Sequence, residues 1–204
     1  MDGGEIMKKS YIAIIFMIIG AAIVISALSM RYDANKKQKM MIQEFNKSIQ
    51  KTDENLGAKE NIDVNVKKPS DNQTGTIGII SIPKIDVNVA LSEGIGTEIL
   101  KYAVGHFTET PMPGEQGNSC FAGHRSYTYN QYFNRLDEVN VGDIIIVTTK
   151  DGEFEYEVYE SKVVDPEEIS VLDNTKGAEI TLVTCTPIRV ATHRLVVKGK
   201  MVIK

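Results

Sequence analysis

A cysteine, a histidine and an arginine each stand beside a short apolar run of the chain. Cys185 ends the β-branched run 181–184, and Arg194 opens another apolar run nine positions later. His124 follows a third run, 119–122, after a single glycine. Such runs are typical of short buried strands, which would deliver all three side chains to strand ends. Because partners of this kind meet in space and not along the chain, the pattern predicts a nucleophilic site.

Each of the three side chains has a chemical task that the other two do not perform. A thiolate attacks a carbonyl carbon, and an imidazole moves protons near neutral pH. A guanidinium stays protonated and is no base, but it donates hydrogen bonds to an oxygen on which negative charge develops. We predict Cys185 as the nucleophile, His124 as the general acid and base, and Arg194 as the oxyanion donor.

Two further histidines and a second cysteine compete for these roles. His106 is the alternative to His124, and His193 could line the site without acting in it. Cys120 lies inside a strand-like run, where we expect a core side chain. The same structural role stays open for Cys185 when it is considered alone, since free cysteine is among the most buried residue types.

Two arginines compete with Arg194 for the oxyanion role. They are Arg125 and Arg189, and Arg189 is the nearer to Cys185 in sequence. Strand geometry nevertheless favours Arg194. If one strand ends at Cys185 and the next begins at Arg194, the two ends of the intervening loop face each other.

Three motifs resemble those of the sortase family of Gram-positive cell-wall transpeptidases. The family's Thr-Leu-x-Thr-Cys motif, its histidine and its downstream arginine are matched by Thr181-Leu182-Val183-Thr184-Cys185, Gly123-His124 and Arg194-Leu195-Val196-Val197. The resemblance covers roughly residues 74–204 together with an N-terminal anchor. It implies an all-β fold, a closed eight-stranded β-barrel with short connecting helices, preceded by one transmembrane helix.

By this resemblance the chain would cleave a Leu-Pro-x-Thr-Gly-like (LPxTG-like) sorting signal after its threonine. Cys185 would hold the acyl group until an amine of a peptidoglycan precursor takes it. The partners would be surface proteins with such signals at their C-termini, and the family motif implies that Thr184 helps to position them. No Asp-Pro-aromatic lid motif occurs between Arg31 and Thr76, so the chain looks most like class D, with class A next.

Two other functions stay open on the chemistry of the residues alone. Water could replace the amine, which would make the protein a hydrolytic cysteine peptidase. A membrane-tethered β-barrel that only binds a wall peptide or a partner protein would leave the three side chains without catalytic roles. Candidates for lining a substrate groove are Tyr127, Tyr129, Ile188 and Val190.

The composition argues against several other classes of function. A formal net charge of −4 with dispersed basic residues gives no reason to expect nucleic-acid binding. The two cysteines form no disulfide framework, and no Cys/His cluster has zinc-ligand spacing, so we expect no cofactor. Some class A sortases bind calcium, although solvated acidic loops are the commoner explanation of such carboxylates. The candidates here are Glu109, Glu115, Asp165, Glu167 and Glu168.

An uncharged run over residues 11–28 is long enough to cross a bilayer as a helix. We interpret it as an uncleaved anchor rather than a signal peptide. The predicted division is a short cytoplasmic N-terminus (1–10), a transmembrane anchor (11–30), a polar linker (31–74) and the catalytic barrel (75–204).

The orientation of this anchor is predicted differently by charge and by resemblance. Lysine and arginine are more numerous just after the run than before it, which would place the C-terminal domain in the cytoplasm. The family resemblance implies the reverse, and we favour it. Within the linker, Met40, Met41, Phe45 and Ile49 recur at helical spacing, so a short juxtamembrane helix is a candidate. We interpret the rest as a solvated spacer that holds the domain away from the membrane.

Beyond residue 75, many short strand-like runs favour a sandwich or a closed barrel. Asp151-Gly152 predicts a hairpin turn. Short helices are predicted over 97–104 and 129–136. The predicted strands are 76–82, 85–91, 119–122, 143–149, 153–164, 180–184 and 193–203.

Overall fold

The computed structural model describes residues 3–56, 75–125 and 132–202. Its strands are β1 (Thr76–Ile82), β2 (Val87–Glu93), β3 (Val104–His106), β4 (Gly117–Ala122), β5 (Ile144–Thr149), β6 (Glu153–Val164), β7 (Ala178–Thr186) and β8 (His193–Met201). They form a closed barrel in the order β1-β2-β3-β4-β7-β8-β6-β5. The predicted all-β, eight-stranded closed barrel is confirmed.

Two pairs of neighbouring strands in this barrel are parallel. β2 runs parallel to β3, and β4 runs parallel to β7. Parallel neighbours need a crossover connection, because a tight turn can only join antiparallel strands. The C-terminal ends of β4 and β7 therefore lie at the same edge of the barrel, which matters for the residues that follow them.

Alternating burial along the strands fills the barrel interior. Side chains of β5 alternate between half-buried and buried positions along its whole length, as expected of a strand with one face toward a core. Large wholly buried side chains include Ile80, Phe121, Ile145, Tyr156 and Leu182. Removing such apolar surface from water contributes about 25 cal/mol per Å² to the closure of the barrel.

The prediction of a helix over 97–104 is wrong in its second half. The helix α2 (Thr97–Leu100) is one turn long, and Val104 then begins β3. All three residues of β3 are buried. This strand therefore lacks the alternation of apolar and polar residues by which half-buried strands are predicted, and it is missing from the predicted set.

The second strand begins later than predicted, whereas the hairpin is where it was expected. Pro83–Ile85 forms a 3-10 helix, and Asp86 follows it in the left-handed conformation with a φ of 54°. β2 therefore starts at Val87 instead of residue 85. The hairpin at Asp151-Gly152 is confirmed, since β5 and β6 pair antiparallel on either side of it.

The helix predicted over 129–136 lies partly outside the described residues. From residue 132 onward the chain makes turns, and a 3-10 helix follows at Leu136–Glu138. Tyr132, Phe133 and Leu136 are buried in the barrel core. These apolar side chains therefore pack into the core without forming an α-helix.

A single helix, α1 (Gly3–Leu56), contains the predicted anchor and continues well beyond it. Part of it is long and apolar enough to cross a membrane. Large apolar side chains of this part, such as Phe16, Ile18 and Ile25, are exposed. Such a surface is stable in lipid and not in water, which is compatible with a single-pass membrane anchor.

Beyond its apolar stretch, one face of α1 packs on the outer surface of the barrel. Met41 and Phe45 are only 7% and 2% exposed. Met41 clusters with Ala90 of β2. Nearby, Lys37 Nζ lies 3.9 Å from the centre of the Tyr102 ring, a cation–π contact. The part of α1 that follows the apolar stretch is thus attached to the barrel along its side.

The juxtamembrane helix considered within the polar linker 31–74 is present as part of α1, which ends at Leu56. Up to that residue the chain is helical, and the apolar residues at helical spacing explain why. Met41 and Phe45 of this pattern face the barrel, while Met40 is 46% exposed. Residues 57–74 lie outside the described residues.

Candidate active site

Cys185 and Arg194 lie directly opposite each other on two paired strands. β7 and β8 are antiparallel, and their register pairs Cys185 with Arg194 and Thr184 with Leu195. Directly opposed residues of an antiparallel pair have Cβ atoms about 4.5–5.5 Å apart. The loop 187–192 joins the two strand ends, so the structure brings these two candidate residues together as neighbours.

His124 reaches the same place from the other side of β7. Gly123 continues the parallel pairing of β4 with β7, because its N–H donates to the carbonyl oxygen of Val183 at 3.1 Å. The hydroxyl of Thr184 in turn donates to the Gly123 carbonyl at 2.7 Å. His124 therefore leaves the sheet beside the end of β7, where Cys185 lies.

A close approach of the chain makes glycine necessary at position 123. A Cβ atom there would lie 2.5 Å from Cδ2 of Phe133, far inside van der Waals contact. Phe133 is fully buried, and its backbone N–H donates to the His124 carbonyl at 3.3 Å. The segment after residue 131 thus closes over the backbone that carries His124, and only glycine leaves room for it.

The three side chains are half-buried, and burial tunes the histidine. It lowers the pKa of His124 below its ordinary value, because the protonated ring loses hydration. At neutral pH the imidazole is therefore uncharged. In this form an imidazole can accept a proton from a thiol and later return it, which is the chemistry of a general base and acid.

The guanidinium of Arg194 is held at the β7–β8 loop. Its Nη1 donates to the carbonyl oxygens of Ala191 at 3.2 Å and His193 at 3.0 Å. A guanidinium carries five N–H donors, and these two bonds use only those of Nη1. The group can therefore stabilise a developing oxyanion close to the residue that faces it across the strand pair.

His106, the alternative to His124, is a buried residue of the barrel wall. It is 1% exposed, and its ring packs against Phe121 with the ring centres 5.2 Å apart. Nδ1 lies 3.0 Å from Oε1 of Glu93, and Nε2 lies 3.1 Å from the carbonyl oxygen of Pro111. With both ring nitrogens engaged away from solvent, His106 is unsuited to pass protons to a substrate.

His193 borders the site without facing the thiol across the sheet. The register places it opposite Thr186. Its Nδ1 lies 2.9 Å from the hydroxyl oxygen of Thr192, and its Nε2 lies 3.5 Å from Oδ1 of Asp165. This exposed ring links the start of β8 with the chain that follows β6.

The two cysteines, both free thiols, have opposite environments. Cys120 is wholly buried, and its Sγ donates to the carbonyl oxygen of Asn118 at 3.4 Å. Burial raises the pKa of this thiol to about 12, so it stays protonated at neutral pH. The prediction that Cys120 is a core side chain is confirmed, whereas Cys185 is half-buried at a strand end.

The two competing arginines are not placed as oxyanion donors. The side chain of Arg125 is 5% exposed, and its Nη2 lies 2.6 Å from Oδ1 of Asp137. Its donors are directed at other parts of the protein. Arg189 is exposed in the β7–β8 loop, where its backbone has a φ of 72°. The ion pair of Arg125 and Asp137 could not be predicted, because a contact between residues twelve positions apart leaves no local pattern in a sequence.

Comparison with known proteins agrees with this geometry. The Sortase domain family model matches residues 80–202 of the chain. The chain belongs to the sortase family. The resemblance predicted from three motifs is confirmed, and the protein is a cysteine transpeptidase, as sortases are.

Three relatives show how far the similarity of this sortase extends. Sortase D of Bacillus subtilis (strain 168) is 31% identical over 204 residues, which cover 96% of this chain and 100% of that protein. Sortase A of Listeria monocytogenes is 35% identical over 125 residues, covering 61% of this chain and 56% of that protein. The structure of a Clostridium perfringens Sortase D5 transpeptidase has a TM-score of 0.64 and 32% identity, covering 86% of this chain and 99% of that chain. These relatives agree with the predicted likeness to class D and then class A.

The predicted substrate-binding residues of the sortase are placed unequally. Thr184 is 3% exposed, and its hydroxyl proton is used on Gly123. It therefore holds the site together, and its role in positioning substrate stays a prediction. Ile188 is half-buried and Val190 is 66% exposed, both in the β7–β8 loop beside Cys185. Tyr127 lies outside the described residues, as does Tyr129.

The acidic residues considered for calcium do not converge in the described part of this sortase. No group of three or more His, Cys, Asp or Glu side chains is arranged to hold a metal ion within residues 3–56, 75–125 and 132–202. Glu115 instead accepts a hydrogen bond from the backbone N–H of Met112, and Glu168 accepts one from the hydroxyl of Ser170. These two carboxylates thus form hydrogen bonds within their own loops.

Proposed function

We propose that this sortase cleaves an LPxTG-like sorting signal after its threonine and transfers the acyl group from Cys185 to an amine of a peptidoglycan precursor. The observation that supports the proposal is the arrangement around the end of β7. Arg194 stands opposite Cys185 on one neighbouring strand, and His124 leaves the other neighbour beside it. A nucleophile, a proton carrier and an oxyanion donor thus surround one strand end.

In the first half-reaction, the neutral imidazole of His124 takes the thiol proton of Cys185. The thiolate attacks the carbonyl carbon of the substrate threonine, and Arg194 donates hydrogen bonds to the oxygen as it becomes negative. When the tetrahedral intermediate collapses, the C–N bond breaks, and His124 gives its proton to the leaving glycine amine. A thioester on Cys185 remains.

In the second half-reaction, the precursor amine attacks the thioester carbon. His124 accepts a proton from this amine, and Arg194 again stabilises the oxyanion. The C–S bond then breaks and a new amide leaves the site. His124 returns the proton to the released sulfur of Cys185, so the enzyme regains its starting protonation state.

The experiment that tests this function uses the full chain in detergent with LPxTG-type peptides, with and without an oligoglycine amine, followed by intact mass. We expect a thioester adduct that moves to the amine, and no adduct on a Cys185→Ala variant. An adduct lost only to water would indicate a hydrolytic peptidase. A wild-type chain that forms no adduct, with a Cys185 that resists alkylation, would support the binding module instead.

We also propose that α1 anchors the protein with its N-terminus in the cytoplasm and the barrel outside, since cell-wall precursors are used there. The count of lysine and arginine on the two sides of the apolar stretch argues for the opposite orientation. The test is labelling of intact cells with a membrane-impermeant maleimide on a Val141→Cys, Cys185→Ala variant, because Val141 is 68% exposed on the barrel. Labelling only after permeabilisation would place the barrel inside.

The proposed surface-protein partners follow from the same substrate class. Sortases act on proteins that carry sorting signals, and the proposed signal here is LPxTG-like at the C-terminus. Ile188 and Val190 are the described residues that we propose to line its groove, because they lie in the loop between Cys185 and Arg194. Substitution of Val190 by Asp would then raise KM for the peptide while leaving alkylation of Cys185 unchanged.

A further inference from the structure

Arg125, which directly follows His124 in the chain, is hydrogen-bonded to Thr186, which directly follows Cys185. Its Nη1 donates to the hydroxyl of Thr186 at 2.9 Å. The residues immediately before the histidine and the cysteine are joined as well, by the hydroxyl–carbonyl bond described above. The two backbones are thus tied together on both sides of the pair that has to exchange a proton.

The orientation of this guanidinium is fully specified by its surroundings. Nε donates to the carbonyl oxygen of Asn134 at 3.2 Å, and Nη2 lies 2.6 Å from Oδ1 of Asp137. Together with the bond to Thr186, every edge of the planar group has a partner. The side chain of Arg125 is 5% exposed, while that of Asp137 is 56% exposed. Such a fork is a rigid spacer, which the single ammonium of lysine does not reproduce.

An ion pair in which one charge is buried is weak evidence for a contribution to stability, because desolvation of that charge offsets the attraction between the two. The position of the Arg125–Asp137 pair indicates a different role. Asp137 lies at the surface, whereas another hydrogen bond of Arg125 reaches Thr186, at the end of the strand that carries Cys185. The contacts therefore transmit the placement of the 134–137 segment to the residue beside Cys185.

We propose that Arg125 is a positioning residue for transpeptidation, which through Thr186 sets the distance between the His124 imidazole and the Cys185 thiol. The inference rests on the proposed function. Arg125 itself touches neither substrate nor the reacting atoms. Small misplacements matter in such a pair, since an error of about 1 Å can slow a reaction by about 100-fold.

Substitutions at Thr186 test the proposal most directly, because they leave the ion pair of Arg125 and Asp137 unchanged. Thr186→Val preserves the shape and removes the acceptor of the Arg125 bond, whereas Thr186→Ser preserves the hydroxyl. For Thr186→Val we expect kcat for acylation to fall by about 10- to 100-fold, with KM changed less than about twofold. Thr186→Ser should stay within about threefold of wild type. Arg125→Lys should resemble Thr186→Val.

The measurements use the full chain in detergent. Acylation kinetics with an LPxTG-type peptide separate kcat from KM, and the rate of Cys185 alkylation by iodoacetamide at neutral pH needs no substrate at all. A merely structural bond would lower the unfolding temperature of Thr186→Val without lowering kcat or the alkylation rate. We expect alkylation of Cys185 to slow by about tenfold in Thr186→Val, since His124 is then less able to take its proton.

Each outcome decides the proposal. A folded Thr186→Val with wild-type acylation and alkylation would overturn it, and so would equal losses in Thr186→Val and Thr186→Ser. If Arg125→Lys fails to fold, the threonine variants still carry the test. If wild type forms no peptide adduct, but alkylation slows in Thr186→Val and not in Thr186→Ser, the positioning role stands and the proposed substrate fails.

Discussion

The hydroxyl of Thr184 donates to the carbonyl oxygen of Gly123 at 2.7 Å, joining the residues immediately before Cys185 and His124. Thr184 is 3% exposed, so this bond forms away from solvent. A threonine of the Thr-Leu-x-Thr-Cys motif thus fixes the geometry of the backbones that carry the proposed nucleophile and the proposed proton carrier. This bond gives Thr184 an architectural role beside the Cys185 thiol.

Replacing Thr184 by valine should therefore destabilise the barrel and slow acylation. The variant keeps the shape of the side chain but removes the donor to a buried carbonyl, which costs about 1–3 kcal/mol of the free energy of unfolding. Thr184→Ser is the matched control, because it keeps the hydroxyl and loses one methyl group, at about 0.8 kcal/mol. Urea unfolding in detergent measures both. Equal stability and activity of the two variants would contradict the role of the bond.

The lowered pKa of His124 predicts how stability depends on pH. Burial depresses its folded-state pKa below the ordinary 6.5, so between these two values the unfolded chain binds more protons than the folded one. The free energy of unfolding should therefore rise as pH rises through this window and level off above it. Acidification favours the unfolded state.

This pH dependence is checked by unfolding the wild type and a His124→Asn variant from about pH 5 to pH 7.5, the range in which histidines titrate. The difference in free energy of unfolding between the two should shrink toward acid, because only the wild type loses stability through this ring. A His124→Asn slope identical to wild type would contradict the assignment.

The side-chain amide of Asn118, at the start of β4, bonds both to the β6–β7 loop and to β7. Its Nδ2 donates to the carbonyl oxygens of Val171 and Asp173, each at 3.1 Å. Its Oδ1 accepts a hydrogen bond from the hydroxyl of Thr181 at 2.7 Å. The residue is 1% exposed, so the loop is attached to the barrel by a buried amide.

Asn118→Asp should release this loop at a cost above about 2 kcal/mol, because an oxygen would then face two carbonyl oxygens in place of a donor. Hydrogen exchange of residues 169–174 should accelerate in the variant. Asn140→Asp is the matched control, since Asn140 makes its side-chain bond at the surface, and it should change stability by about 0.5 kcal/mol or less. Unchanged exchange in Asn118→Asp would show that other contacts hold the loop.

Two adjacent methionines of α1 test the attachment of the helix to the barrel. Met41 is 7% exposed against the barrel, whereas Met40 is 46% exposed. Met41→Ala should weaken the contact by about 2 kcal/mol, the lower end for a buried methionine, while Met40→Ala should change it by about 0.5 kcal/mol or less. Hydrogen exchange over residues 35–50 in detergent reports the difference. Equal exchange in both variants would mean that the helix is not held by this face.

The placement of the proposed catalytic residues was predictable because their signals are local. A β-branched run that ends in Cys185, and a second one that opens at Arg194, describe two strands and a loop, and the register agrees with this. His124 was separable from His106 only through the family motif. In the structure the two differ in burial, since His106 is buried and His124 is half-buried. The burial of a single histidine cannot be recognised from the residues next to it in the sequence.

What the sequence did not reveal depends on contacts between distant segments. β3 was not predicted because all its residues are buried. Such a strand lacks the alternation of apolar and polar residues by which half-buried strands are predicted. The ion pair of Arg125 and Asp137 joins residues twelve positions apart in the chain. The packing of α1 was visible only as a helical recurrence of apolar residues in a polar stretch, whose partner surface on the barrel is far away in the chain.

Because α1 is one continuous helix, it sets the distance between its apolar stretch and the barrel. Met41 lies thirteen residues beyond Leu28, the last residue of the apolar run, which at about 1.5 Å per residue is about 20 Å along the helix axis. Because the barrel is attached at this height, it has little freedom to rise or tilt while α1 stays in the bilayer. In the proposed orientation, cargo that is itself embedded in the membrane must expose its scissile bond at a matching elevation. Under this proposal, the number of residues between the sorting signal of the cargo and its hydrophobic segment would help to select substrates, independently of the groove that binds the signal.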